Sequence, residues 1–136
     1  MKLNPYLNFP GTCKEAMMTY AAVLGGEIVA MMTYGDMPGE NEIPEDLADK
    51  IAHARIAIGD DLLMASDAAP DRFKPMQGVS VTLNIPEPAE ADRVFAALIE
   101  GGTEIMPMTE TFWAFKFGVL VDRFGTQWMI NCMKPE

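Results

Sequence analysis

Histidine occurs once in this chain, at position 53, while cysteine and serine occur twice each. The side chains that most often ligate metals or attack substrates are therefore scarce. A single histidine excludes a two-histidine, one-carboxylate metal site built within one chain. Cys13 and Cys132 show no paired spacing, which excludes a disulfide framework and suits a reduced, cytoplasmic protein. Ser66 and Ser80 stand in no G-x-S-x-G turn, and neither a P-loop nor a dinucleotide-binding glycine pattern is present. No apolar run reaches the roughly 18 residues of a membrane span, and Met1 to Pro5 carry no apolar signal core. Bases are few, with 10 Lys and Arg against 20 Asp and Glu. The net charge of −10 repels phosphate backbones, so nucleic acid is not an expected partner.

What the chain does have is an internal repeat. Leu7-Asn8-Phe9-Pro10 returns as Leu83-Asn84-Ile85-Pro86, and Gly25-Gly26 returns as Gly101-Gly102, both at an offset of 76. Two matches at one spacing mean that a strand, a helix and a turn recur in register. With 136 residues, 49% hydrophobic and 22% charged, the chain is expected to form one domain, 1–136. It would comprise repeat 1 (1–70) and repeat 2 (76–136), joined by the polar stretch 67–75.

Hydrophobic spacing fills in each repeat. Strands are expected over 3–9, 27–34, 51–58 and 62–67, then over 78–85, 103–108, 112–121 and 126–132. Ala16, Met17, Tyr20, Val23 and Leu24 mark the first helix, and Thr12 with Glu15 fits a capping box at its start. Ala91, Val94, Phe95, Leu98 and Ile99 mark the second helix, with Pro88 in its first turn. Asp36, Glu40, Glu42, Glu45, Asp46 and Asp49 crowd the 35–50 stretch among Gly35, Pro38, Gly39 and Pro44. It reads as an acidic loop insert in repeat 1, either solvated or closing over a pocket, with a helical turn near 44–50. Met64 and Met129 match at an offset near 65, so repeat 1 carries about 11 extra residues, which this loop supplies.

Each repeat is thus β-α-β-β-β. The expected fold is α+β, two paired modules forming a curled, partly closed mixed sheet. One helix covers one face of each sheet and leaves the other uncovered. Trp113, Phe115 and Phe117 on one side of a strand, together with Leu7 and Phe9, would make that uncovered face an apolar, aromatic trough suited to a small ligand.

These residues also carry a resemblance. Paired β-α-β-β-β modules resemble the vicinal oxygen chelate superfamily of glyoxalase I, bleomycin-resistance proteins and extradiol dioxygenases. Pro5-Tyr6-Leu7-Asn8-Phe9, Glu15-Ala16, His53-Ala54 and Ser66-Asp67 resemble its PhnB-like group, sometimes labelled 3-demethylubiquinone methyltransferase-like. The strongest run is Glu110-Thr111-Phe112-Trp113-Ala114, continuing through Phe117-Gly118, Asp122-Arg123-Phe124-Gly125 and Trp128-Met129-Ile130-Asn131. The resemblance spans nearly the whole chain and implies the glyoxalase/bleomycin resistance fold and a homodimer. Metal-dependent members draw their ligands from the first and last strands of each module, which here places Pro5, Met64, Val81 and Met129. Proline and valine cannot ligate, and thioether sulfur suits hard or borderline divalent ions poorly. No metal and no other cofactor is therefore expected.

Individual residues read as follows. His53 is a structural histidine or a pocket acid or base, since histidine titrates near neutral pH. Glu110 is a solvated acid or a pocket carboxylate. Cys13 lies in a helix first turn, where the dipole can lower a thiol pKa, but a packed, inert thiol fits it better. The expected ligand-binding set is Leu7, Phe9, Trp113, Phe115, Phe117 and Asn131. Tyr6 could add a polar contact, although alternation favours Phe9 over Tyr6 as the one facing the trough. Trp128 is expected in the core. Two functions follow. One is a small-molecule binding protein without the superfamily metal. The other is a glyoxalase- or dioxygenase-like enzyme, metal-free through His53 or Glu110, or using oxygen ligands.

Overall fold

The computed structural model describes residues 1–38 and 43–135. Glu40 and Glu42 of the acidic stretch lie outside them. The chain divides into module 1, Met1–Pro75, and module 2, from Met76 onward.

Module 1 runs β1 (Tyr6–Phe9), α1 (Cys13–Leu24), β2 (Glu27–Thr33), β3 (Ile51–Ile58) and β4 (Asp61–Asp67). Module 2 repeats the order as β5 (Val81–Asn84), α2 (Pro88–Ile99), β6 (Thr103–Thr109), β7 (Ala114–Val121) and β8 (Gln127–Met133). Each module folds one four-stranded mixed sheet, ordered β1-β4-β3-β2 in the first and β5-β8-β7-β6 in the second. The first strand of each pairs parallel with the last, and the remaining pairs are antiparallel. This is the α+β, twice β-α-β-β-β architecture read from the repeat.

The glycine pair marks the same corner in both modules. Gly25 and Gly101 close their helices at φ 68° and 74°, a left-handed conformation that costs other residues a steric penalty. The second glycine lets the chain pass against a strand. A Cβ on Gly26 would sit 2.6 Å from the Ile56 side chain, and one on Gly102 would sit 2.3 Å from the Val121 carbonyl oxygen.

Two local expectations are corrected. β1 begins at Tyr6, β5 at Val81 and β7 at Ala114, each two or three residues later than the hydrophobic pattern suggests. Thr12 sits at the N-cap of α1, but its side chain caps nothing. Asp67 at the end of β4 takes that role: its Oδ1 accepts the N–H groups of Gly11 and Cys13 at 3.0 and 2.9 Å, and its Oδ2 accepts that of Ile51 at 2.9 Å. A carboxylate satisfies several free N–H groups where one hydroxyl satisfies one. The helical turn near 44–50 forms as successive hydrogen-bonded turns, Leu47 N–H to Pro44 and Lys50 N–H to Leu47. Tyr34 N–H to Lys50 and Gly35 N–H to Ala48 stitch the two ends of the acidic stretch together.

Candidate functional site

Strand register decides which side chains face α1 or α2 and which face away. In module 1, Leu7 pairs with Ala65, Ala65 with Ala54, and Ile56 with Leu63, all buried on the helix side. In module 2, Gly118 pairs with Ile130 and Leu120 with Trp128, again on the helix side. A Cβ on Gly118 would lie 2.8 Å from the Phe95 ring of α2, so the bare backbone there admits the helix.

This register corrects two expected ligand contacts. Leu7 and Phe9 are 3% and 2% exposed, and the Phe9 ring lies 6.4 Å from that of Tyr20 on α1. They are core residues of module 1. Alternation then turns Tyr6 and Asn8 to the face away from the helix, the distal face. Period-two spacing separates the two sets but does not say which one the helix covers, and the more apolar set went to the helix.

The distal face of module 1 carries Tyr6, Asn8, His53, Arg55, Met64 and Ser66. The Tyr6 ring stacks on His53 at 5.7 Å, and its hydroxyl lies 3.2 Å from Nδ1. The Ser66 hydroxyl donates to Asn8 Oδ1 at 3.3 Å.

The distal face of module 2 carries Phe117, Val119, Met129, Asn84 and Asn131, with Trp113 at the mouth of β7. Trp113 meets the ring of Phe117 edge-on at 5.3 Å and that of Phe112 at 4.9 Å. The Trp113 indole N–H donates to Asn131 Oδ1 at 3.2 Å, and Asn131 Nδ2 donates to Asn84 Oδ1 at 2.9 Å. Asn131 is only 8% exposed. Trp113, Phe117 and Asn131 of the expected set thus come together. Phe115 does not join them: it sits at the register shift between Ala114 and Lys116, and among the described residues no ring contact links it to Trp113 or Phe117. The shift breaks the alternation that the sequence pattern assumed. Next to the asparagine pair a cavity of about 340 Å³ opens, lined by Asn84, Ile85, Pro86, Asn131, Met133, Lys134 and Pro135. A second hollow of about 190 Å³ in module 1 runs from Gly11 to Lys50, Pro70 and Asp71 beside the acidic stretch.

Asn84 and Asn8 went unassigned from sequence, although the repeated Leu-Asn motif placed an asparagine at the same point of each module. Other candidates move the opposite way. Glu110 is exposed and ion-paired to Lys134 at 2.8 Å, and that ammonium holds its carboxyl below the usual range, which is a poor setting for a base. Cys13 is fully buried, and burial with Asp67 beside it pushes the thiol up to about 12. The helix start does not activate it. Trp128 is fully buried as expected, with its N–H on Asp122 Oδ2 at 2.8 Å.

The four positions that the resemblance assigned to metal ligands, Pro5, Met64, Val81 and Met129, carry no strong donor for a borderline divalent ion. Val81 pairs with Trp128 on the helix face, and Pro5 precedes β1, so the distal positions nearest the expected four are Tyr6, Met64, Thr82 and Met129. Among the described residues, no three His, Cys, Asp or Glu side chains gather as ligands.

Comparison with known proteins agrees with this architecture. The model of the family described as 3-demethylubiquinone-9 3-methyltransferase matches residues 1–131. Protein YjdN of Escherichia coli is 35% identical over 147 residues, covering 100% of this chain and 98% of that protein. The crystal structure of PA1353 from Pseudomonas aeruginosa superposes with a TM-score of 0.91 at 46% identity, covering 99% of each chain. A PhnB protein from Bacillus cereus, titled a putative 3-demethylubiquinone-9 3-methyltransferase, gives 0.79 at 26% identity, covering 97% of this chain and 99% of its own. This chain belongs to the 3-demethylubiquinone-9 3-methyltransferase family.

Proposed function

We propose that this protein binds a small, partly aromatic molecule on the distal face of module 2, without the metal its superfamily often uses. One observation carries the reading. Trp113 and Phe117 form an edge-to-face wall beside a buried amide, Asn131, whose orientation the indole fixes. An apolar wall with a few oriented polar groups is the usual make-up of a small-molecule site. Trp113 remains 38% exposed, so its ring still has a face to offer. The family description supplies a ligand class to try first, a quinone-like ring. Methyl transfer is not proposed, because the sequence has no glycine-rich cofactor loop.

The unit is proposed to be a homodimer. Val29 on the edge strand β2 and Ile105 on the edge strand β6 are 49% and 54% exposed, which gives self-association an apolar surface. No described helix is long and apolar enough to cross a membrane.

The Tyr6–His53 pair supports a second reading, a metal-free enzyme with His53 as acid or base. A thermal-shift screen separates the cases. Small aromatic and quinone-like compounds should raise the melting temperature, while zinc, nickel and iron should not. If no aromatic compound shifts it, the binding reading is wrong. Turnover of a bound compound that His53→Asn abolishes would establish the enzyme instead.

A further inference from the structure

We infer that the asparagine pair of module 2 recognises an acceptor oxygen on its ligand, such as a ketone, quinone or amide carbonyl, through the side-chain N–H groups of Asn84. This deepens the binding reading above and rests on it. The two ends of a carboxamide are told apart by their partners. Here the partner is unambiguous, because an indole N–H only donates. The Trp113 N–H therefore fixes Oδ1 of Asn131 toward itself, at 3.2 Å. The nitrogen of Asn131 must then face Asn84, and Asn84 must answer with its oxygen, at 2.9 Å. The sense of the whole chain, Trp113 to Asn131 to Asn84, is set by one residue that cannot accept.

What remains at the end is a pair of donors. Among the described residues, nothing accepts from Nδ2 of Asn84, and both asparagines line the 340 Å³ cavity. A ligand carbonyl there can take the N–H groups of Asn84, which have no other partner among the described residues, whereas Oδ1 already accepts from Asn131. Module 1 places a related pair at the same point of its repeat. The Ser66 hydroxyl donates to Oδ1 of Asn8, at the repeat position equivalent to Asn84. Lys134, which also lines the module 2 cavity, is ion-paired to Glu110 at 2.8 Å.

The test compares 1-tetralone with tetralin, which share a ring system and differ by one carbonyl oxygen. Binding is read by NMR titration in wild type, Asn84→Ala and Asn84→Asp, with the buried Trp128 indole resonance as an internal check on the fold. Wild type should bind the ketone roughly fivefold more tightly than the hydrocarbon, the worth of one hydrogen bond. Both variants should bring the ratio close to one and leave tetralin unaffected. If both compounds bind wild type equally, or if the preference survives both substitutions, the donor assignment is overturned while the binding reading stands. If neither compound binds, the small-molecule reading falls and the inference falls with it.

Discussion

Asp67, at the end of β4, accepts the backbone N–H of Cys13, the first residue of α1, across 54 positions of sequence at 2.9 Å. The same carboxylate holds Gly11 and Ile51, so one side chain ties the β1–α1 link to β3. Asp67→Ala would leave these three N–H groups without their acceptor, two of them buried. The expected loss is about 3–5 kcal/mol of unfolding free energy. Urea denaturation measures it, and a change smaller than about 1 kcal/mol would show that water replaces the carboxylate.

The Cys13 thiol gives stability a pH dependence. Its pKa stands at about 12 in the folded chain against 9.0 for an ordinary thiol, with burial as the larger cause and Asp67 the smaller. Between those values the unfolded chain has lost the proton and the folded chain keeps it. Stability is therefore full below about pH 9 and falls as pH rises toward 12, by at most about 1.4 kcal/mol per pH unit. Tyr34, raised chiefly by burial and then by Asp67, adds in the same direction at the alkaline end. Denaturation of wild type and Cys13→Ala at pH 8 and pH 10.5 checks this, because the variant should show the shallower decline. Iodoacetamide at pH 8.5 should leave native Cys13 unmodified and alkylate it on unfolding; rapid native alkylation would contradict the burial.

The two tryptophans should answer differently to truncation. Trp128 is enclosed and bonded to Asp122, so Trp128→Ala should cost about 3–5 kcal/mol. Trp113 is partly exposed and held by two ring contacts and one hydrogen bond, so Trp113→Ala should cost about 1–2 kcal/mol and weaken binding of any aromatic ligand. Loss of the fold in Trp113→Ala would make it a core residue. Unchanged stability with unchanged binding would put the ligand on another face.

Elemental analysis of protein purified without chelator should find no stoichiometric zinc, nickel or iron. The single histidine and the weak or absent donors at Pro5, Met64, Val81 and Met129 motivate this. One metal ion per chain would overturn it and point to donors contributed by a second copy.

Light scattering at micromolar concentration should report about twice the 15.0 kDa of the chain. A monomer would show that the exposed Val29 and Ile105 serve another contact or none.

The order of strands and helices was legible in the sequence because each signal was local. The duplicated Leu-Asn and Gly-Gly motifs, the period of the two helices and the Gly59 and Gly125 turns needed no knowledge of distant contacts. Trp128 in the core was also expected, from its bulk, and the structure encloses it. Two kinds of information were not legible. Which face α1 covers depends on the parallel pairing of β1 with β4, 58 residues apart in Asn8 and Ser66; reading that face from alternation alone sent Leu7 and Phe9 to the ligand and Tyr6 away from it. The bulge at Phe115 and the cap supplied by Asp67 are likewise products of pairing between distant segments. Sequence fixes what each stretch prefers to be, since backbone sterics and side-chain period act over a few residues. Only tertiary structure decides which side chains meet, since that depends on register between strands whose partners lie far along the chain.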